Sequence, residues 1–282
     1  MSVKAGDDVL VPDPAFPNYL GQIHRIGARA VPVPVRESDG FKLRASDVEA
    51  AITGRTAAII LNSPSNPLGS VIDAADLAAI ARLADRRGVM IVSDEVYDEI
   101  VFDGVPYVSI ANAAPGFDRF LVVNSFSKSY AMTGWRCGFV LGAADLIAPM
   151  LIMQEGIASC APPFIQRAAI AALTGPQDAT RAMVASYQQR RDLITGWLNG
   201  IDGVRSLKPE ATFYAWANVA SLGLPSWDLA VDLLETQNVA LVPGSAFGAR
   251  GEGYLRLSFA ASIDSIEIAC QRLESYVRPR RP

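Results

Sequence analysis

AAIILNSPSNPLGSVIDAADLAAIARLADRRGVMIVSDEVY, residues 57–97, decides how the chain folds. It opens on a short apolar run, Ala57–Leu61, that leads into NSPSNPLG, and it closes on a second, Val89–Val92, that leads into SDEVY. Runs this short and rich in Val and Ile predict strands buried on both faces. Between them, DAADLAAIARLADRRG carries Leu77, Ile80, Ala81 and Ala84 on one helical face, with Asp73 placed to cap its start and Gly88 to end it. Strand, helix, strand is a parallel α/β unit. Ahead of it, Ser46 and Glu49 have the spacing of a capping box.

Working outward, Phe120–Val123 is a third such run and leads into NSFSK. Ligands of open α/β sheets bind beyond the carboxyl ends of the strands, so Asn66, Asp94 and Lys128 are expected to meet in one crevice. From about Gln177 the texture changes. A helix to about Asn199 is expected, then an exposed-face strand in GVRSLKPEATFYAWANV and a helix over SWDLAVDLLETQN capped by Ser226. Strands follow in VALVPGSAFG and in GYLRLSFA, where Leu255, Leu257 and Phe259 alternate with Arg256 and Ser258, and SIDSIEIACQRLESYV closes the chain as a helix. The expected architecture is α/β: a large domain over residues 1–178 with a mostly parallel sheet and flanking helices, and a smaller α+β domain over 179–282.

The bulk numbers narrow the functions. With 282 residues, half of them hydrophobic, the chain can bury one large core or two moderate ones. Its net charge is −4 and it carries no basic tract before the short RPRR tail, which argues against sequence-blind nucleic-acid binding. Cys137, Cys160 and Cys270 are odd in number and far apart, as reduced thiols of a cytoplasmic protein would be. One histidine, His24, leaves no His-rich metal site and no Ser-His-Asp triad. Met1–Asp8 is polar and does not read as a signal peptide. The greasiest stretch, Phe139–Met153, is broken by Asp145 and Pro149 and is too short to span a bilayer.

Lys128 is the chemical clue. It is one of only four lysines, and it sits in NSFSKSYAMTGWRCG among three serines and a threonine, with Arg136 eight residues on. Lysine offers a compact amine that loses its proton when partly buried, and arginine does not. A lysine that forms a Schiff base with pyridoxal phosphate needs a carboxylate for the pyridine nitrogen and hydrogen-bond donors for the phenolic oxygen. The phosphate needs hydroxyls and an arginine fork, and the substrate carboxylate needs a second arginine. Lys128, Asp94, Tyr97, Asn66, Ser125, Arg136 and Arg256 supply that set. Ser125 to Lys128 also satisfies the S-x-x-K pattern of penicillin-binding proteins and β-lactamases, but neither Ser-Asp-Asn nor Lys-Thr-Gly occurs in the chain.

In order along almost the whole chain, NSPSNPLG, SDEVYDEIVFDG, SFSKSYAMTGWRCGFVLG and VPGSAFG…GEGYLRLSFA resemble the class I/II aminotransferases, fold-type I pyridoxal-phosphate enzymes. The resemblance implies that Lys128 bonds to the cofactor and later serves as acid and base, and that Asp94 pairs with the pyridinium nitrogen. Asn66 and Tyr97 would hold the phenolic oxygen, Ser125, Arg136 and Ser127 the phosphate, and Arg256 the α-carboxylate of the amino acid. Phe16, in VPDPAFPNY, would stack on the cofactor ring. No metal is implied. The expected reaction is ping-pong transfer of an amino group from an L-amino acid to a 2-oxo acid in a homodimer. A lyase or decarboxylase of the same fold is the alternative.

Two departures are mild: Ala211 stands where glycine is usual, and Leu68 where threonine is commoner. The third is larger. Family members carry a sizeable segment ahead of DDVLVPDPAFPNY, including a Ser/Gly/Thr-rich loop whose amides grip the phosphate at a helix N-terminus. The expectation is thus a member without its head, exposing apolar sheet surface and binding the cofactor weakly, or an inactive fragment.

Overall fold

A computed structural model describes residues 3–278, so the tail beyond Arg278 lies outside the described residues. Six strands form the main sheet: β1 (Asp8–Asp13), β2 (Arg29–Pro34), β3 (Thr56–Asn62), β4 (Met90–Asp94), β5 (Phe120–Ser125) and β6 (Gly138–Gly142). Their order is β2-β1-β3-β4-β5-β6, all parallel except β6, which runs antiparallel to β5. Sequence order reverses between β1 and β3, and the carboxyl ends there are where α/β sheets take ligands. The second sheet holds β7 (Arg205–Ser206), β8 (Tyr214–Asn218), β9 (Val242–Pro243) and β10 (Tyr254–Ser258) in the order β7-β8-β10-β9, antiparallel throughout.

Among the described residues ten α-helices accompany them. The first five are α1 (Asn18–Arg25), α2 (Ala45–Ala51), α3 (Ala74–Arg87), α4 (Ile110–Ala113) and α5 (Phe126–Ser129). The others are α6 (Ala144–Ala158), α7 (Pro163–Thr174), α8 (Asp178–Gly200), α9 (Ser226–Gln237) and α10 (Ile263–Val277). The strand–helix–strand unit read from residues 57–97 is β3-α3-β4. Leu77, Ile80, Ala81 and Ala84 form the buried stripe of α3, and Gly88 ends it in the left-handed region at φ 65°. There glycine avoids the Cβ clash another residue would meet.

The expected caps are corrected. Asp73 stands at the N-cap of α3 but makes no cap hydrogen bond, because its carboxylate is taken by Lys42 and Arg44, each at 2.8 Å. Ser46 and Glu49 form no capping box. The α2 helix starts at Ala45, whose N–H donates to Asp76 Oδ1 of α3 at 2.9 Å. Ser226 is the first residue of α9 rather than its cap, and Glu252 caps it from a distant loop, accepting from Ser226 N at 2.7 Å and Oγ at 2.9 Å. In each case a tertiary partner displaced the local one. Pro149 does not break the apolar stretch, since it lies inside α6.

The strand in the aromatic stretch is not exposed-faced: Tyr214, Ala215, Trp216 and Ala217 of β8 are all buried. One face packs on the helices of the second sheet, while Trp216 points into the core of the main sheet beside Phe247. The strand expected in VALVPGSAFG shrinks to Val242–Pro243. The chain then turns so tightly that a Cβ on Gly244 would lie 1.9 Å from the Gly251 carbonyl. The cores interleave from the other side too, because Tyr97, Ile100 and Phe102, which follow β4, belong to the cluster with Leu198, Leu257 and Phe259. Beneath it, fully buried Arg191 donates to both oxygens of Asp103, at 2.8 and 3.1 Å, with Phe102 against its guanidinium. By contrast, Leu151, Ile152, Met153 and Ile157 of α6 and Phe164 of α7 are exposed. Among the described residues no helix is long and apolar enough to cross a membrane.

Candidate active site

The strand ends bring the expected residues to one crevice. Asp94 is the last residue of β4 and lies in register beside Asn62, the last of β3. Four residues beyond Asn62, Asn66 is buried, and its N–H donates to Asn62 Oδ1 at 2.8 Å. From the second sheet, Arg256 of β10 reaches across, and its Nη1 donates to Asn66 Oδ1 at 2.9 Å. Tyr97 is buried, and its hydroxyl donates to the hydroxyl of Tyr214 at 3.2 Å. Residues from both sheets thus build one wall.

Lys128 projects from α5, the one-turn helix directly after β5. Its Nζ lies 5.6 Å from the centre of the Phe213 ring. Burial, then the charges of Arg136 and Arg256, lower its pKa below the ordinary lysine value. A partly buried amine with two cations for neighbours gives up its proton more readily. Burial also lowers the pKa of Arg256, whose guanidinium is held between Tyr214 at 4.2 Å and Phe247 at 4.9 Å. Its Nε is buried and donates to no group of the described residues.

Asp94 is pushed the other way. Burial raises its carboxyl above the usual carboxylate range, opposed by the Tyr19 hydroxyl, which donates to Oδ2 at 2.5 Å, and by the Val96 N–H at 3.3 Å. Burial, then Tyr214, raises the Tyr97 phenol far above its usual value. A buried phenol that stays protonated remains a hydrogen-bond donor.

The serines are less free than the sequence implied. Ser125 Oγ accepts from Ser127 N at 3.1 Å and donates to the Cys137 carbonyl at 3.2 Å, so it caps α5 and ties it to the start of β6. Ser127 is buried next to it. Arg136 is exposed in a left-handed turn at φ 53°, its Nη1 donating to the Thr133 carbonyl at 2.9 Å. Phe16 stands in the segment between β1 and α1. It packs edge-on against Tyr19, 5.6 Å between centroids, and so reaches Asp94 through that residue.

Four contributors escaped the sequence reading. Tyr19 is buried against Asp94, yet in sequence it is only a tyrosine at the start of a short helix. Asp98 accepts from Asn124 Nδ2 at 2.6 Å and from Ser129 Oγ at 3.0 Å, clamping both ends of the Lys128 turn to the segment that carries Asp94 and Tyr97. In SDEVYDEI it looks like one more acid. Phe213 and Tyr214 meet the lysine and the arginine because Thr212 turns the chain with φ 68°, a conformation unusual for a β-branched residue.

Fold and crevice together define an α/β enzyme with a lysine amine beyond the carboxyl ends of its parallel strands. The model of the family described as aminotransferase class I and II matches residues 1–273, and the chain belongs to that family. Amino-group transfer is its reaction class. It is 39% identical over 281 residues to an aspartate aminotransferase of Pyrococcus abyssi, covering 99% of this chain and 72% of that one. It is 37% identical over 281 residues to aromatic-amino-acid aminotransferase 2 of Thermococcus litoralis, with the same coverage. The crystal structure of an aromatic aminotransferase from Pyrococcus horikoshii superposes with a TM-score of 0.95 at 38% identity, over 99% of this chain and 75% of that one.

Proposed function

We propose that this chain transfers the amino group of an L-amino acid to a 2-oxo acid with pyridoxal phosphate bonded to Lys128. One observation carries the reading. The charges of Arg136 and Arg256 both bear on Lys128, Arg256 reaches Asn66 and has a buried donor left over, and half-buried Asp94 stands on the adjoining strand. Three converging cations fit a ligand with two anionic groups, a phosphate and a carboxylate, and a half-buried carboxylate fits a cationic ring nitrogen. That donor set suits pyridoxal phosphate.

In this reading Asp94 meets the ring nitrogen, Asn66 and Tyr97 the phenolic oxygen, Ser125, Ser127 and Arg136 the phosphate, and Phe16 one ring face. When bound, the cofactor supplies an electron sink for the pair left at Cα. Lys128 Nζ takes the Cα proton, a task its lowered pKa favours. Arg256, oriented by Asn66 and its two flanking rings, holds the α-carboxylate. Residues 1–178 and 179–282 are the proposed domains, with the crevice between them.

Arg256→Lys tests the carboxylate role. Lysine keeps the charge and loses the planar fork, so the apparent Kd of amino donors should rise by about tenfold or more while the cofactor's visible band stays unchanged. Unchanged affinity would mean that Arg256 binds no carboxylate. The proposed assembly is a homodimer, supported by the exposed apolar faces of α6 and α7, and light scattering should give twice the chain mass. A monomer at micromolar concentration would overturn it. The free thiols Cys137, Cys160 and Cys270 support a cytoplasmic setting.

A further inference from the structure

Arg256 is held from above and below by rings and from the front by Asn66, but the strand that carries it is anchored elsewhere. Residues alternate faces along a strand, so Tyr254 and Arg256 of β10 point the same way, while Leu255 and Leu257 point into the core beneath. That outward face meets Glu37, in the short turn (Glu37–Asp39) that follows β2 of the main sheet. Glu37 Oε2 accepts from the Tyr254 hydroxyl at 2.8 Å and from Asn218 Nδ2 at 3.0 Å, and Oε1 pairs with Arg205 at 2.8 Å.

These three partners form one row. Arg205 of β7 is registered opposite Asn218 of β8, and Asn218 opposite Tyr254 of β10. A single carboxylate of the main sheet therefore grips three neighbouring strands of the second sheet at the same level. The next row on that face pairs Arg256 with Trp216. The two rows are also joined through rings. Tyr254 stacks on Trp216 (5.3 Å, 9°), Trp216 meets Phe247 edge-on (5.5 Å, 88°), and Phe247 lies 4.9 Å from the Arg256 guanidinium.

We propose that Glu37 is a positioning residue for substrate binding: by holding the Arg205–Asn218–Tyr254 row, it fixes the height at which Arg256 meets the amino-acid carboxylate. The inference rests on the reading of Arg256 given above. Glu37 itself faces Arg205, Tyr254 and Asn218, while the adjacent Arg36 and Asp39 are engaged with Asp47 and with each other. It touches none of the proposed cofactor ligands. Its loss should therefore weaken carboxylate binding and leave the chemistry of Lys128 alone.

The test uses the cofactor-loaded protein and single-turnover half-reactions with L-alanine, L-aspartate and L-phenylalanine, taking the donor that gives the largest signal. Glu37→Ala should raise the apparent Kd about tenfold, since a hydrogen bond to a charged group is lost and the row is freed. The limiting rate should stay within about twofold and the cofactor absorbance should not move. Tyr254→Phe, which keeps the ring stack, should raise Kd by about fivefold. Glu37→Gln still accepts from Tyr254 and should recover most of the affinity. The double variant Glu37→Ala/Tyr254→Phe should be no worse than Glu37→Ala, because both remove one contact.

Additive losses in the double variant, or a Glu37→Ala protein with unchanged Kd while Arg256→Lys raises it, would overturn the inference and spare the proposed function. A fall in limiting rate as large as the rise in Kd would show a general structural role and would also overturn it. If Arg256→Lys itself left Kd unchanged, the carboxylate reading would fail first and take this inference with it.

Discussion

A Lys128→Ala protein is expected to lose amino-group transfer by about 10⁴-fold or more, since covalent attachment and proton transfer are lost together. The setting of the amine, not its presence alone, motivates the magnitude. Lys42, by contrast, is paired with Asp73 and Glu210 at 2.8 and 2.9 Å, contacts that outweigh its partial burial and hold its ammonium charged. Lys128 is partly buried with two cations around it and gives up its proton more easily. Borohydride reduction of the loaded wild-type protein, followed by peptide mapping, should place the pyridoxyl label on Lys128. A label on Lys4, Lys42 or Lys208 would refute the assignment. Lys128→Arg should not rescue turnover, because a guanidinium stays protonated.

Asp94→Asn is the second large effect. The amide is nearly the same size and can still accept from the Tyr19 hydroxyl, so the cofactor should remain bound. What disappears is a negative charge in a partly desolvated site, where its influence on a neighbouring cationic nitrogen is stronger than in water. Proton abstraction should slow by about 10³-fold, read as the limiting rate of the half-reaction. Wild-type-like single-turnover rates would remove Asp94 from the mechanism. Tyr19 sharpens the argument, because its hydroxyl fixes Oδ2 and leaves Oδ1 with one long contact to Val96 N.

Much of this was legible in the chain because buried parallel strands have a plain signature. β3, β4 and β5 are short apolar runs, and polar residues begin where each strand leaves the sheet. Asn66, Asp94 and Lys128 share one end of the sheet for that reason. β2 was harder to see, since RAVPVP carries two prolines, which an edge strand tolerates and a central one does not. The misread caps and the misread β8 share a cause. Asp73, Ser226 and Trp216 are each claimed by a residue far off in sequence, and local patterns carry no record of such partners. The same holds for Tyr19 and Asp98, whose roles exist only once β1, β3, β4 and β5 lie in one sheet. Arg256 was picked out by the need for a second arginine to meet a carboxylate and by the motif around it. Glu37, which grips that strand from the far side, leaves no trace in the sequence.

The interleaved cores limit where such a chain can be cut and recombined. A crossover near residue 178 would look natural, since a new helix begins there. It would nevertheless part Phe102 from Phe259, whose rings lie 6.4 Å apart, and Trp216 from the main-sheet residues around it. A chimera made by exchanging the C-terminal portion between relatives would need residues 97–102 to travel with it. Heredity has thus tied the segment after Asp94 to a partner more than a hundred positions downstream.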